Sequence, residues 1–178
     1  MRLRALKMDD AVYMLEWMHS DNVVHYLDKN FKDMTINECR EFVGTAIDMG
    51  RKKPEDQVYL HLAIADDQND EYLGTVSLKN IDRYNKTAEF GVAIREKAMG
   101  KNVAAEAMRQ MFELGFSEYG LNSIYWYVNE GNKRALRFYV KNQYKMIDEE
   151  NPKIANYVNS SMKNKYIWFL IEKDDAGN

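Results

Sequence analysis

The chain has 178 residues, 46% of them hydrophobic, with only 2 Pro and 9 Gly; this suits one domain over residues 1–178 and excludes a disordered, Pro-rich or collagen-like polypeptide. Its lone cysteine, Cys39, excludes a disulfide framework and a thiolate zinc cluster, and makes a reducing, cytoplasmic setting the simplest expectation. A net charge of −3 leaves no basic surplus for nucleic acid, no apolar run reaches the length that spans a bilayer, and the charged opening Met1–Asp10 does not read as a secretion signal.

In chain order, Arg2–Leu6 reads as a short strand. Asp9 is an acceptable N-cap for a first helix, with Ala11, Met14, Leu15 and Met18 at helical spacing. Thr35, with Glu38 three residues on, forms a capping box for a second helix whose apolar stripe is Ile36, Cys39, Val43, Ala46 and Ile47. The period then changes to two. Val58, Leu60, Leu62 and Ile64 form one alternation, Leu73–Leu78 a short strand, and Ala88, Phe90, Val92 and Ile94 another. Asp66–Asp70 and Asn80–Lys86 read as the turns between them, so the three runs form an antiparallel meander.

A third helix runs from Asn102 to Phe116, with Val103, Ala107, Met111 and Leu114 on one face. A strand follows at Ser123–Val128. A fourth helix begins near Asn132 and carries Leu136, Tyr139 and Val140 together; a short strand follows at Tyr144–Ile147. Glu149–Asn164 reads as a long loop, Tyr166–Ile171 as a strand covered on both faces, and Asp174–Asn178 as a frayed tail. The strand–helix–strand piece from Glu89 to Val128 implies a parallel pair in otherwise antiparallel surroundings. The fold class is therefore α+β: a mixed, mostly antiparallel sheet of six to seven strands flanked by about four helices.

Two segments carry chemistry. In Glu89–Ala107 a strand ends near Ile94, a polar loop holds Gly100, and a helix starts at once. The first N–H groups of a helix lack partners and the helix dipole stands behind them, so the residues alone read either as an anion site or as a plain strand–helix connection with no ligand. Small Ala104 and Ala105 let a ligand approach the backbone. Neither a nucleotide P-loop nor a dinucleotide fingerprint is present. In the second segment, Asn129–Tyr144, Asn132 can cap a helix and still offer its amide, and Tyr139 lies two turns later on the same face.

Together these segments resemble the GNAT superfamily of acetyl-CoA-dependent N-acetyltransferases, in particular the branch of ribosomal-protein N-terminal, spermidine and amino-sugar acetyltransferases. The family loop pattern is Gln/Arg-x-x-Gly-x-Gly/Ala. Here it reads Met99-Gly100-Lys101-Asn102-Val103-Ala104, with Met99 for the Gln or Arg and Asn102 for the first Gly. The second family motif is Asn, then Ala-x-x-x-Tyr, then Gly-Phe. Asn132, Ala135 and Tyr139 match, and Gln143-Tyr144 stands where Gly-Phe is usual.

The resemblance implies a fold, a co-substrate and roles. The fold is GNAT-like, and the co-substrate is acetyl-CoA, with no metal. The strand Phe90–Ile94, chiefly Val92, Ala93 and Ile94, pairs with the pantetheine arm. The backbone from Met99, Gly100, Lys101 and Asn102 to Val103 and Ala104 holds the pyrophosphate. Asn132 bonds the pantetheine arm, Arg134 helps hold the CoA phosphates, and Tyr139 is the general acid. An amine attacks the thioester directly in a ternary complex. The resemblance also raises a homodimer.

The residues themselves leave the base open. Glu89 is the candidate, directly or through water; His61 on a neighbouring strand is a rival. The acceptor is expected to enter beside His19–Met34, where Trp17, His25, Tyr26, Phe31, Asp21, Asp28 and Asp33 lie. Polyamine, amino sugar and protein N-terminus all remain open as acceptors. Two other functions stay in play: a regulatory domain that binds CoA without turnover, and an interaction domain with no CoA.

Overall fold

The period-two runs hydrogen-bond into one sheet. The computed structural model describes residues 1–27, 30–158 and 166–175. Its strands are β1 (Arg2–Ala5), β2 (Leu60–Ala65), β3 (Tyr72–Asp82), β4 (Thr87–Ile94), β5 (Ser123–Asn129), β6 (Lys145–Ile147) and β7 (Tyr166–Glu172). Their spatial order is β1-β2-β3-β4-β5-β7-β6, and every neighbouring pair is antiparallel except β4–β5. The helices are α1 (Asp10–Met18), α2 (Asp21–Val24), α3 (Ile36–Gly50), α4 (Val103–Ser117) and α5 (Lys133–Lys141). Of these α2 is a single turn, too short to show a helical period in the sequence, so four expected helices become five. No helix among the described residues is long and apolar enough to cross a membrane.

Both faces of the sheet are covered, as the strand alternation requires. Val76, Leu78, Phe90, Ile124, Trp126 and Phe169 point to one face and pack with Met108, Met111 and Phe112 of α4. On the other face Ala63 joins Met14, Trp17, Cys39 and Val43 beneath α1 and α3. Farther along, Tyr125, Trp168 and Leu170 pack with Ile154 of the segment after β6. The α3 start is the expected capping box: the Thr35 side chain accepts from the Glu38 N–H, and Glu38 accepts from the Thr35 N–H at 2.8 Å.

Four local expectations are corrected. Asp9 makes no side-chain cap; Asp10 accepts from the Lys7 N–H at 2.8 Å and pairs with Arg4 at 2.7 Å, so the buried carboxylate ties the helix to the chain that leads into it, while the Asp10 and Ala11 N–H groups bond the Lys7 and Met8 carbonyls. The strand expected at Leu73–Leu78 runs on to Asp82, because a bulge with Asn80 at φ 49° keeps it paired with β4 beyond Lys79. The expected turn Asn80–Lys86 shrinks accordingly. Val58 lies before β2 and Val140 faces away from the core; both are exposed. Residues Asp28, Ser160 and Ser161, and the end of the tail from Ala176 onward, lie outside the described residues, whereas Lys173–Asp175 form a 3-10 turn.

The exit of β4 is anchored by Arg95, which is 4% exposed. Its guanidinium bonds Glu16 at 2.5 Å, Glu71 at 3.1 Å and the Tyr72 carbonyl at 2.8 Å, and lies over the Tyr13 ring at 4.7 Å. The end of β4 is thereby tied to α1 and β3. Close packing of β3 on β4 also needs Gly74, where a Cβ would stand 2.3 Å from the Ala93 carbonyl oxygen. Gly74→Ala is expected to destabilise the protein by about 1–3 kcal/mol. Gly44→Ala, inside α3 with open space around it, is expected to stabilise by about 0.5–1 kcal/mol. Denaturant unfolding of the two variants checks this opposition of sign.

Candidate active site

The parallel ladder is short. Thr87, Ala88 and Glu89 pair with Ser123, Ile124 and Tyr125, and there it stops. β4 continues through Phe90–Ile94 and β5 through Trp126–Asn129 with no ladder between them. Each keeps its outer neighbour, β3 and β7 respectively. Strand alternation turns the backbone groups of Gly91 and Ala93 to β3, so beyond the ladder it is the groups of Val92 and Ile94 that face the opening without a ladder partner. Backbone N–H and C=O groups left in that position need a partner, and an extended chain entering the opening supplies one.

The opening leads to the start of α4. Gly100 has φ 76° and Asn102 φ 60°, two visits to the left-handed region on either side of Lys101. Asn tolerates that region better than most residues, so Asn102 replaces Gly without losing the turn. The N–H groups of Gly100, Lys101, Asn102, Val103, Ala104 and Ala105 have no acceptor among the described residues. The first to bond is Glu106, to the Asn102 carbonyl at 3.2 Å. The Asn102 side chain makes no cap. The result is a run of outward-facing donors at the positive end of a 15-residue helix.

Facing this run is α5. Asn132 caps it by accepting from the Ala135 N–H at 3.0 Å, which leaves the side-chain NH2 without a partner among the described residues. A cleft of about 510 Å³ lies between this helix start and the turn Glu96–Ala98, with Tyr26, Met99, Asn132, Arg134 and Arg137 in its walls. Tyr26 closes over Gly131, its ring 3.1 Å from where a Cβ would stand. Lys101, Lys133, Arg134 and Arg137 are all exposed and lack a carboxylate partner among the described residues. Arg2, Arg4, Arg51, Arg95 and Arg109 are all ion-paired. Four cations without carboxylate partners thus stand near the free amides.

Tyr139 sits on the α4 side of the opening. It is 8% exposed and packs against Trp126 at 5.6 Å and Phe169 at 4.9 Å between centroids. Its hydroxyl has no hydrogen-bond partner among the described residues, and burial raises its pKa above the usual tyrosine value, so it stays protonated at physiological pH. Glu89 sits on the opposite face, 7% exposed. One carboxylate oxygen pairs with Lys79 and the other accepts from Asn80 at 2.9 Å. A substrate amine reaches Glu89 only by exchanging with Lys79 or through water.

His61 lies on the Glu89 face too, its Nδ1 2.6 Å from Ser77 Oγ, with Phe42 and Tyr59 rings beside it at 5.1 Å and 4.9 Å. Burial, and then the charge of Lys79, lower its pKa to about 4. Of the expected acceptor wall, Trp17 is core and packs on Phe31 at 5.6 Å, Asp21 pairs with Lys32 at 2.5 Å, and His25 stacks edge-on against Tyr26. Among the described residues of that wall, only Tyr26 lines the cleft. Sequence reasoning missed Lys79, Asn80 and Arg137. Period-two counting through Ser77 reaches Lys79 once the strand is extended, and Arg137 lies one helical turn beyond Arg134.

A histidine with a lowered folded-state pKa binds its proton only after unfolding, so its contribution is complete above about pH 6.5 and is lost as pH falls toward 4. The melting temperature is expected to fall over that window, with a shallower fall in His61→Gln; thermal melts at several pH values check it.

The chain matches the acetyltransferase (GNAT) domain family over residues 1–145. It is 28% identical over 142 residues to the spermidine N(1)-acetyltransferase of Escherichia coli K12, covering 79% of this chain and 70% of that one. It is 24% identical over 136 residues to an uncharacterised N-acetyltransferase, p20, of Bacillus licheniformis, covering 76% and 73%. Its fold is similar to that of the Vibrio cholerae spermidine N-acetyltransferase solved with CoA and spermine, with TM-score 0.76, 20% identity and coverage of 99% and 98%. The chain therefore belongs to the GNAT acetyltransferase family and transfers an acetyl group from acetyl-CoA to an amine.

Proposed function

We propose that the acceptor is a primary alkyl amine of the polyamine class, and that residues 1–178 form a single catalytic unit built around the opening between β4 and β5. The observation that carries this reading is the run of unbonded amides from Gly100 to Ala105 directly beyond that opening. They fit a diphosphate, and Lys101, Arg134 and Arg137 fit the remaining phosphate charge. Val92, Ala93 and Ile94 fit a pantetheine arm laid along the unpaired edge of β4, with the Asn132 amide as a further donor. Met99 contributes a wall in place of a side-chain donor. The polyamine reading is supported by the spermidine acetyltransferases among the relatives.

The chemistry follows from the two faces of the sheet. An alkyl amine has a pKa of ~10, so roughly one molecule in a thousand is neutral at pH 7. Glu89 takes the proton, directly after displacing Lys79 or through water. The amine nitrogen attacks the thioester carbon, and the Val92 N–H steadies the developing oxyanion. Tyr139, held protonated in its aromatic pocket, donates to the departing sulfur from the other face.

Release of thiol from acetyl-CoA across a panel of polyamines, amino sugars and N-terminal peptides tests the acceptor class; turnover confined to amino sugars or peptides removes the polyamine reading. Tyr139→Phe is expected to lower turnover about tenfold or more with CoA affinity unchanged. Backbone geometry at the phosphate loop is tested at Asn102. Asn102→Gly is expected to preserve CoA affinity by calorimetry, and Asn102→Val to weaken it about tenfold, since a β-branched residue pays ~1–2 kcal/mol in the left-handed region.

A further inference from the structure

We propose that Lys79 is an internal acetyl acceptor, modified by the enzyme's own bound acetyl-CoA when no amine is present. The inference rests on the reading of the β4–β5 opening as the place of the thioester. Lys79 stands opposite Glu89 across the β3–β4 ladder. Its side chain lies over Gly91, with Cε 3.3 Å and Nζ 3.6 Å from where a Cβ would stand. A Cβ there would press on Cε, so glycine gives that path its room. The lysine amine is thus laid on β4 at the point where the ladder to β5 has just ended, one residue from Val92.

The surroundings set Lys79 apart from the other paired lysines. Its partner Glu89 has a side chain 9% exposed, whereas the partners of Lys7, Lys32, Lys53, Lys97 and Lys153 range from 31% to 77%. The second oxygen of Glu89 is held by Asn80, which the bulge at φ 49° turns back toward β4. The carboxylate is therefore fixed while the lysine is not. The Lys79 side chain is 40% exposed and borders a cleft of about 370 Å³ with Tyr59 and His61 in its wall. A flexible primary amine, a fixed carboxylate to accept its proton, and a neighbouring thioester are the components that the intermolecular reaction also uses.

The step balances. The Lys79 ammonium gives a proton to Glu89, and its nitrogen forms a bond to the acetyl carbonyl carbon. The C–S bond breaks, and the thiolate is protonated from Tyr139, which regains its proton from water. The product amide loses its second proton, so the sum is acetyl-lysine, free CoA thiol and one proton released to solvent. Neutral acetyl-lysine no longer pairs with Glu89, which leaves that carboxylate open to an incoming ammonium.

The test is incubation of the full chain with acetyl-CoA and no amine, followed by peptide mapping. Acetyl-Lys79 is expected to form roughly tenfold or more faster than acetylation of the exposed Lys52, as positioning predicts. Excess CoA is expected to suppress it at position 79 alone, and Lys79→Arg to remove that acetylated peptide. An unmodified Lys79 in protein that turns over external amines overturns the inference while leaving the active-site reading intact. So does modification of Lys79 at the rate of Lys52, or unaffected by CoA. Absence of CoA binding by calorimetry overturns both.

Discussion

A parallel ladder that ends at Glu89 and Tyr125 creates the site on which everything else depends. Two strands that start paired and then part leave backbone groups unsatisfied in the middle of a protein, which is unfavourable unless something is meant to lie there. The parting is enforced from both sides. β4 is held along β3 and pinned at its exit by Arg95 to α1 and β3, whereas β5 is held along its whole length by β7. Between them the rings of Phe90, Phe112 and Trp126 pack with centroids 5.0–6.0 Å apart, Phe90 edge-on to the other two, and fill the α4 side at the apex. Breaking the sheet at this one point gives the protein an opening with rigid walls.

The electrostatics divide along the same line. On the α4 face Tyr139 is enclosed by aromatic rings and stays a neutral donor. On the opposite face the Lys79–Glu89 pair supplies a carboxylate and an ammonium, and the positive charge of Lys79 helps keep His61 neutral. A nucleophile that must lose a proton and a leaving group that must gain one thus meet different surroundings on the two sides of one strand. At the rim, cations without carboxylate partners stand beside free helix amides, an arrangement that favours an anion over water. The separation of roles follows from strand alternation, since Glu89 and Phe90 are neighbours in sequence and point to opposite faces.

Much of this was legible in the residues. Element order and type followed from periodicity, the capping box at Thr35 from a side-chain pattern, and the anion-binding loop from a polar Gly-containing junction between a strand and a helix. These are local properties, settled by steric preference and by which neighbours a residue meets within one or two turns. The errors are local as well: α2 is one turn, Asp9 makes no side-chain cap, and the strand through Asn80 outruns its apparent turn. In the last of these, pairing with β4 outweighed the local turn preference.

The sequence by itself thus determined the α+β class, the family resemblance, and the Gly100–Ala105 and Asn132–Tyr139 segments as the places for chemistry. Tertiary structure alone decided that the β4–β5 ladder stops after Glu89, that Lys79 crosses Gly91 to reach that carboxylate, and that Arg137 joins Arg134 on one cleft. The physical reason is range. Dihedral preference and periodicity act over a few residues, whereas ladder length, ion pairing and burial are set by atoms that only folding brings together.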